Sequence, residues 1–224
     1  MQCGFQIHRR QRKVDAAVIE QYRDVAVAHA SDNMARMFHA GVSLRPLHAG
    51  GGLVGPALTV KVRPGDNLLV HKALNMAEPG DVIVVDAGGD MTNAIIGELM
   101  LAYAKLRGVA GIVIHGAVRD IAAIRADALP VYAAGVTHRG PYKDGPGEIN
   151  GAIAIQGMVI EPGDLMLGDE DGVLCIPFEA AAAVYEGVLA TRRREERVLA
   201  EIRSGSVDRG WVDVALKERG CAGL

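Results

Sequence analysis

The chain has 224 residues, of which half are apolar and 4% are aromatic, and its formal net charge at pH 7 is −3. This length suits one large domain over residues 1–224, with Val, Ile, Leu and Ala filling the core. The lack of a basic bias argues against a nucleic-acid-binding protein. No run reaches the roughly 20 apolar residues of a membrane-spanning helix, so neither nucleic acid nor a membrane is an expected partner.

The three cysteines, Cys3, Cys175 and Cys221, are scattered and show neither CxxC nor the spacing of a disulfide framework. Unpaired thiols of this kind are typical of a reducing compartment. The polar first ten residues lack the apolar core of a signal peptide. These features together predict a cytoplasmic protein.

The first quarter of the chain reads as two helices and a strand. Apolar spacing predicts a helix over residues 13–30, and Ser31-Asp32-Asn33 would cap a second, short helix that runs to about Phe38. A strand is predicted at residues 57–62. The preceding Gly50-x-Gly52-x-x-Gly55 matches a dinucleotide fingerprint in letters, but it leads into a strand rather than a helix, which argues against a nucleotide site.

The tripeptide Pro-Gly-Asp occurs three times, at residues 64–66, 79–81 and 162–164. Proline fixes one dihedral angle and glycine tolerates the unusual next one, so the motif forms a tight turn. The second and third copies lie in matching segments that continue into buried strands. Their reuse at both ends of the chain indicates sheet layers that pack face to face.

Between these turns, strand and helix patterns alternate. The predicted strands lie at residues 82–86, 111–115, 129–134, 151–160 and 173–176, and the predicted helices at 97–107, 120–127 and 178–203. Residues 136–150 are rich in Gly and Pro and are expected to form a surface loop, a candidate lid. The last twenty residues carry the single tryptophan, Trp211, which suggests that this tail docks onto another surface.

Glu98 and the adjacent Arg119-Asp120 pair are separated by 20 residues and lie where two successive strand-to-helix units join. Because parallel strands bring their carboxyl ends side by side, these side chains are expected in one cleft. Two acids and a guanidinium favour a hard divalent cation and an anionic substrate. Two plainer interpretations remain open: a first-turn glutamate that complements the helix dipole, and a simple ion pair or N-cap at Arg119-Asp120.

Together with Gly80–Asp86 and the run Pro162–Val173, the pattern Gly97-Glu98-x20-Arg119-Asp120 resembles the 4-hydroxy-4-methyl-2-oxoglutarate/4-carboxy-4-hydroxy-2-oxoadipate aldolase family. That family is related to the regulator of ribonuclease activity A, or RraA. The resemblance covers about residues 25–180. It implies an α/β fold, an αββα sandwich of the swivelling phosphohistidine-domain type. It also implies a homotrimer or homohexamer in which the segment from about residue 178 to 224 packs on a neighbouring subunit.

The resemblance further implies a class II aldolase that uses Mg²⁺ or Mn²⁺. It would cleave 4-hydroxy-2-oxo acids into pyruvate and an oxo-acid, with oxaloacetate decarboxylation as a side activity. Asp120 would bind the metal directly and Glu98 through water, while Arg119 would hold the pyruvate-like oxygen. The substrate carboxylate would bind the helix start at Gly97, Glu98, Leu99 and Met100. Glu195 or Glu196 of a neighbouring subunit would complete the metal's water shell.

Several alternatives stay open. The chain could instead be a non-enzymatic, RraA-like protein that binds and masks an RNA-degrading enzyme. A Schiff-base aldolase needs a desolvated lysine at the cleft, and neither Lys61 nor Lys105 lies at the carboxyl end of a strand. The remaining candidates have both a plain and a functional interpretation: His71 packs or edges the cleft, His115 is a core residue rather than a ligand, and His138-Arg139 and Tyr142-Lys143 are ordinary loop residues or contacts for a second substrate carboxylate.

Overall fold

The computed structural model describes residues 4–224, so the predictions for Cys3 and the first two residues lie outside the described part. The chain forms strands and helices in alternation. The strands are β1 (Phe5–Ile7), β2 (Arg45–Pro46), β3 (Leu53–Val62), β4 (Val82–Asp86), β5 (Ala94–Ile96), β6 (Gly111–Val118), β7 (Val131–Val136), β8 (Gly147–Ile149), β9 (Ile153–Ile155), β10 (Met158–Ile160), β11 (Leu165–Gly168) and β12 (Val173–Ile176). The α-helices are α1 (Ala16–Tyr22), α2 (Val27–Asp32), α3 (Leu68–Met76), α4 (Glu98–Leu106), α5 (Ile121–Arg125), α6 (Ala181–Ser204) and α7 (Trp211–Glu218).

The main sheet has the strand order β1-β8-β3-β4-β6-β7-β2, and its centre, β3-β4-β6-β7, is parallel. The long strand β3 belongs to two layers. Its second half pairs with β4, whereas its first half pairs antiparallel with β11, which in turn pairs with β12. A separate hairpin of β9 and β10 packs beside these strands.

Three hydrophobic clusters define the layering. One lies between the main sheet and α3, α4 and α5, and the second fills the space between the main sheet and the strands β9–β12. The third packs the outer face of β11 and β12 against α1, α2 and α6. Helices therefore cover both outer sides of two facing sheet layers, which confirms the predicted αββα arrangement.

The predictions for the first forty residues need correction. Instead of one helix over residues 13–30, the chain forms α1 and α2 with a break at residues 23–26, because the carboxylate of Asp169 accepts the N–H of Val27 at 2.9 Å and caps a new helix there. Residues Ser31 and Asp32 end that helix rather than cap a later one. Local patterning could not reveal a cap supplied from 142 residues away.

Three further elements differ from the sequence prediction. Helix α3 was not predicted, although its buried residues have helical spacing. Residues 151–160 form the hairpin β9–β10 rather than one strand, because Gln156 and Gly157 both adopt positive φ angles and turn the chain. The predicted loop 136–150 ends early, since residues 147–149 form β8 and pair with β3.

The turns at residues 79–81 and 162–164 share one set of contacts. The buried carboxylates of Asp81 and Asp164 each accept the N–H three residues back, from Glu78 and Glu161 respectively, both at 2.9 Å. Each turn leads into a buried strand, as predicted. Among residues 4–224, no helix combines the length and apolarity needed to cross a bilayer.

Candidate functional site

The Gly97-Glu98 and Arg119-Asp120 segments meet at the carboxyl ends of β5 and β6. These strands are parallel neighbours, with Ile96 opposite Val118, so the residues that follow them emerge at the same edge of the sheet. The N–H of Arg119 donates to the carbonyl of Ile96 at 3.0 Å. The register thus explains why Glu98 and Arg119-Asp120, which are separated by 20 intervening residues, share one location.

Asp120 caps the helix that begins at Glu98. Its Oδ2 atom accepts the N–H of Glu98 at 2.9 Å and lies 3.8 Å from Nε of Arg119. Asp120 itself has φ 56° and ψ 42°, a left-handed conformation that costs a non-glycine residue about 1–3 kcal/mol. The structure therefore contains both of the plainer contacts: Asp120 caps a helix, although it is α4 rather than α5, and it forms an ion pair with Arg119.

Gly97 is required at its position by space rather than by conformation. A Cβ atom there would lie 2.3 Å from Oδ2 of Asp120, which would have to move, and 3.0 Å from Cγ of Arg119, which is tighter than most side-chain contacts. Its φ of −148° is accessible to any residue. The glycine lets the Arg119 and Asp120 side chains lie directly against the start of α4.

These residues border a pocket of about 260 Å³. It is lined by Asn67, His71, Ile95, Ile96, Gly97, Glu98, Leu99, Met100, Arg119, Asp120, Pro141 and Lys143. The side chains of Arg119 and Asp120 are each 43% exposed, so both remain accessible from the pocket. Every residue predicted for the catalytic and substrate-binding set borders this one cavity, but their roles remain predictions.

The first turn of α4 offers hydrogen-bond donors to the pocket. The N–H of Glu98 is already bound by Asp120, which leaves those of Leu99 and Met100 without a partner within the helix. Together with the helix dipole, such donors favour an anion. Two members of the predicted carboxylate-binding set, Leu99 and Met100, therefore carry N–H groups that the helix itself does not use.

Asn67 contributes a buried polar group that the sequence analysis missed. The residue is 2% exposed and its Nδ2 donates to the carbonyl of Ile95 at 2.8 Å, but its Oδ1 accepts no hydrogen bond from the described residues. Buried polar atoms without partners are rare in proteins, and at a pocket they mark a place for a ligand or water. The sequence feature that could have pointed to Asn67 is its position directly after the Pro64-Gly65-Asp66 turn, at the start of a helix.

The acidic groups fit a divalent cation that keeps much of its water shell. Residues 4–224 contain no cluster of three or more His, Cys, Asp or Glu side chains able to enclose a metal. Mg²⁺ commonly binds through one or two carboxylates together with water and substrate oxygens. Asp120 and Glu98, both accessible at one pocket, match that requirement.

Glu195 and Glu196 do not line the pocket of their own chain. Glu195 lies 2.7 Å from Nε2 of His29, and Glu196 is exposed on α6. Their predicted contribution to a neighbouring subunit stays a prediction.

Other candidates take the plainer interpretation. His115 contacts Asp86 through Nδ1 at 3.3 Å and lies outside the pocket. Lys105 binds Asp127 at 2.6 Å, and Lys61 does not border the cavity. Lys143 is the lysine of the described chain that lines the pocket, but it is exposed and does not provide the desolvated amine that a Schiff-base aldolase needs.

The fold and this pocket define an α/β protein whose candidate site lies at the carboxyl ends of parallel strands. Over residues 24–175 the sequence matches the family model described as RraA-like, Aldolase/RraA. The chain belongs to this RraA-like aldolase family, as its sequence motifs predicted.

Named relatives agree with the enzyme branch of the family. A Halalkalibacterium halodurans protein, provisionally named a 4-hydroxy-4-methyl-2-oxoglutarate aldolase, is 45% identical over 71% of this chain and 76% of its own length. The 4-hydroxy-4-methyl-2-oxoglutarate aldolase of Thermus thermophilus is 38% identical over 54% of this chain and 74% of its own. Both names describe carbon–carbon lyases, the enzyme class that the sequence predicted.

A solved structure of the RNA-processing inhibitor RraA from Thermus thermophilus superposes with a TM-score of 0.64 at 30% identity. The match covers 69% of this chain and 93% of that one. The family therefore includes proteins described as inhibitors as well as proteins named as aldolases.

Proposed function

We propose that this protein is a divalent-metal-dependent class II aldolase that cleaves 4-hydroxy-2-oxo acids into pyruvate and a second oxo-acid. The observation that carries the proposal is the meeting of Arg119, Asp120 and the first turn of α4 in one pocket. The names of the relatives support the same chemistry. A surface that only masks a partner protein has no need of this arrangement.

Mg²⁺ or Mn²⁺ would be held by Asp120 directly and by Glu98 through water. When bound, such an ion supplies Lewis acidity toward the substrate ketone. The N–H groups of Leu99 and Met100 bind the C1 carboxylate of the substrate at the start of α4. The guanidinium of Arg119 donates to the C2 oxygen, and its charge and planar donor set suit the negative charge that builds there.

Cleavage then requires one proton transfer and one bond break. Glu98, acting through a water molecule, accepts the proton of the C4 hydroxyl group. The C3–C4 bond breaks, C4 becomes the carbonyl carbon of the departing oxo-acid, and the bonding pair moves into the pyruvate enolate. Arg119 stabilises the enolate oxygen until Glu98 returns the proton, again through water, to C3 and pyruvate leaves. Loss of CO₂ from oxaloacetate gives the same enolate, so decarboxylation is expected to accompany the aldolase activity.

The direct test is a coupled assay of pyruvate release from 4-hydroxy-4-methyl-2-oxoglutarate and from oxaloacetate. We expect release with Mg²⁺ or Mn²⁺, loss of release with EDTA, and recovery when the ion is added back. An Arg119→Lys variant should lose most turnover, because a point charge does not replace the guanidinium fork. Pyruvate release that is indifferent to EDTA would contradict the metal dependence.

We also propose that the protein assembles as a homotrimer or homohexamer, with residues 1–224 as one domain whose C-terminal part packs on a neighbour. The buried residues of α6 end at Thr191, and α7 has none. Beyond that point large apolar side chains are exposed, including Val198, Leu199, Ile202, Trp211 and Val214. Covering them with a second subunit would remove this surface from water and carry Glu195 or Glu196 toward that subunit's pocket.

The second candidate function is that of a binding protein for an RNA-processing enzyme. The likeness to the Thermus thermophilus RraA structure supports it. The two candidates separate in one experiment: an enzyme releases pyruvate in a metal-dependent way without any protein partner, whereas an inhibitor gives no turnover and binds a ribonuclease.

A further inference from the structure

The guanidinium group of Arg119 is available to a ligand but is not oriented by hydrogen bonds of its own. Among residues 4–224 it donates none, and its Nε atom lies 3.8 Å from Oδ2 of Asp120, beyond hydrogen-bond distance. The side chain is 43% exposed and has several freely rotating bonds. Its position in the pocket therefore depends on what packs against it.

Two glycines pack against this side chain. A Cβ atom at Gly97 would lie 3.0 Å from Cγ and 3.1 Å from Nε, along the stem of the arginine. A Cβ atom at Gly140 would lie 3.1 Å from Nη1 and 4.0 Å from Cζ, at the guanidinium itself. The backbone thus comes close to the arginine at both its stem and its tip, and a side chain at either position would crowd it.

Backbone conformation does not explain the glycine at residue 140. Its φ lies outside the left-handed region that favours glycine. Among the described residues other than its chain neighbours, only Arg119 has atoms within 4 Å of the position that a Cβ would take. A side chain at residue 140 would therefore disturb the guanidinium of Arg119 before anything else.

The backbone at Gly140 is held by the start of β5. The carbonyl of Gly140 accepts a hydrogen bond from Nδ2 of Asn93 at 2.5 Å, and the carbonyl of Arg139 accepts the N–H of Ala94 at 2.8 Å. Asn93 is buried, with 5% of its surface exposed. Because β5 leads directly into Gly97, one short segment positions both glycines.

A methyl group at residue 140 is expected to cost little stability. It would meet the far end of a half-exposed side chain, which can give way by a few tenths of an ångström without losing a buried contact. The displacement would fall on a group whose placement matters to the proposed reaction, and a misplacement of about 1 Å can cost about a hundredfold in rate. Residue 140 can thus affect the site without loosening the fold.

We propose that Gly140, held by Asn93, is a positioning residue that sets the location of the Arg119 guanidinium by leaving space for Nη1. This inference rests on the proposed function and extends it, because the location of the guanidinium determines how well it stabilises the charge that builds on the C2 oxygen. Gly140 does not line the pocket, so it acts through Arg119 rather than by touching the substrate.

The test compares Gly140→Ala with Gly151→Ala. Gly151 also lacks a left-handed φ, and its Cβ would lie 3.2 Å from Oε2 of Glu148, the end of another flexible side chain outside the pocket. In Gly140→Ala, kcat for pyruvate release from oxaloacetate should fall about 10-fold while KM changes less than about threefold, since the contact with Arg119 strengthens as the enolate forms. Gly151→Ala should match the wild type, and the thermal midpoints of both variants should stay within about 2 °C of it.

A second comparison separates an effect through Arg119 from a disturbed loop. In an Arg119→Lys background the Nη1 atom is absent, so adding Gly140→Ala should lower kcat by less than a further factor of about two. A loss in that background as large as in the wild-type background would overturn the proposal. Unchanged kcat in Gly140→Ala alone would overturn it as well.

Calorimetric titration with oxalate and Mg²⁺ gives a readout besides turnover, because oxalate has the shape and charge of the pyruvate enolate. Gly140→Ala should bind oxalate about 10-fold more weakly than the wild type, and Arg119→Lys should bind it equally with and without Gly140→Ala. This pattern in a protein that releases no pyruvate would refute the aldolase and leave the positioning role standing. Oxalate binding that neither variant weakens would refute the positioning role, even if the protein releases pyruvate.

Discussion

Asp120 serves as a helix cap and is the proposed metal ligand. Its backbone adopts an unfavourable left-handed conformation in this position. Its left-handed φ of 56° turns the carboxylate away from its own helix, α5, and onto the N–H of Glu98. One oxygen is then fixed by the helix start and by Arg119. The second oxygen can bind a cation whose location is set by the same contacts.

Asp120→Asn is expected to keep the fold and lose the activity. The amide oxygen can still accept the N–H of Glu98, but the neutral side chain binds a divalent cation far more weakly, so metal-dependent pyruvate release should fall by about a thousandfold. The control is Asp127→Asn, which removes a charge outside the pocket where Asp127 pairs with Lys105. Circular dichroism should show the same fold for both variants, and substantial activity in Asp120→Asn would contradict the assignment.

The pKa of His71 measures whether its imidazole interacts with the ammonium group of Lys143. Since burial and Lys143 lower it, the folded protein binds this proton less readily than the unfolded chain does, and the residue lowers stability as pH falls through about 6.5. In Lys143→Met one of the two causes is gone, so the pKa should rise toward its ordinary value. Titration of the imidazole protons by NMR measures both values; an unchanged pKa in the variant would show that the two groups do not interact.

At the scale of elements, the Pro-Gly-Asp turns work through buried carboxylates. Asp81 is fully buried and accepts hydrogen bonds from Nη1 and Nη2 of Arg10, at 2.8 and 3.1 Å, in addition to one from the N–H of Glu78. Asp164 lies 3.8 Å from Arg12 and accepts the N–H of Phe178. Each turn thus ties the N-terminal segment, residues 10–12, to the start of a buried strand.

Asp81→Ala is expected to destabilise the protein by about 3 kcal/mol, because it removes both hydrogen bonds that the largely buried Arg10 makes to Asp81 and leaves the N–H of Glu78 without an acceptor. The guanidinium of Arg10 would keep only its 3.5 Å contact with the exposed Glu78. Glu78→Gln, at an exposed side chain on the same turn, should cost less than about 1 kcal/mol. Urea unfolding of both variants measures the difference. Equal stabilities would mean that the carboxylate does not hold the turn.

The same elements show where local patterns suffice. Helix α4 and strand β4 follow their apolar spacing and turn residues closely, so the sequence predicted them well. The break between α1 and α2 depends on Asp169, which lies far along the chain. The buried face of helix α3, formed by Leu69, Val70, Ala73 and Leu74, has a helical spacing that is visible in the sequence. The Pro-Gly-Asp turn before it leads into this helix, whereas the other two copies lead into strands.

At the scale of the whole molecule, α6 and α7 extend an apolar surface away from the three core clusters. None of the residues of α7 is buried, and Trp211 is 65% exposed. A surface of this kind on one chain is expected to be covered in the assembly. The pocket would then be completed by a helix from the next subunit.

Removing residues 205–224 is expected to lower the number of subunits in the oligomer, because the deletion takes away α7 and its exposed tryptophan. Light scattering coupled to size-exclusion chromatography measures the mass of both forms. A matched control is the charge-preserving Arg193→Lys on the exposed face of α6, which should keep the wild-type mass. A truncated chain with unchanged mass and activity would show that this segment does not join the subunits.

The sequence by itself determined the α/β class and the alternating core, and it predicted that Glu98, Arg119 and Asp120 lie at one cleft, because periodicity and motif spacing are local properties of the chain. Tertiary structure alone decided that Asp120 accepts the N–H of Glu98, that the Oδ1 atom of Asn67 has no partner among residues 4–224, and that Lys143 lines the same pocket as the start of α4. These features arise where α3, the β7–β8 loop and the ends of β5 and β6 meet. Contacts between segments so distant in sequence are set by strand register and packing, which no local pattern records.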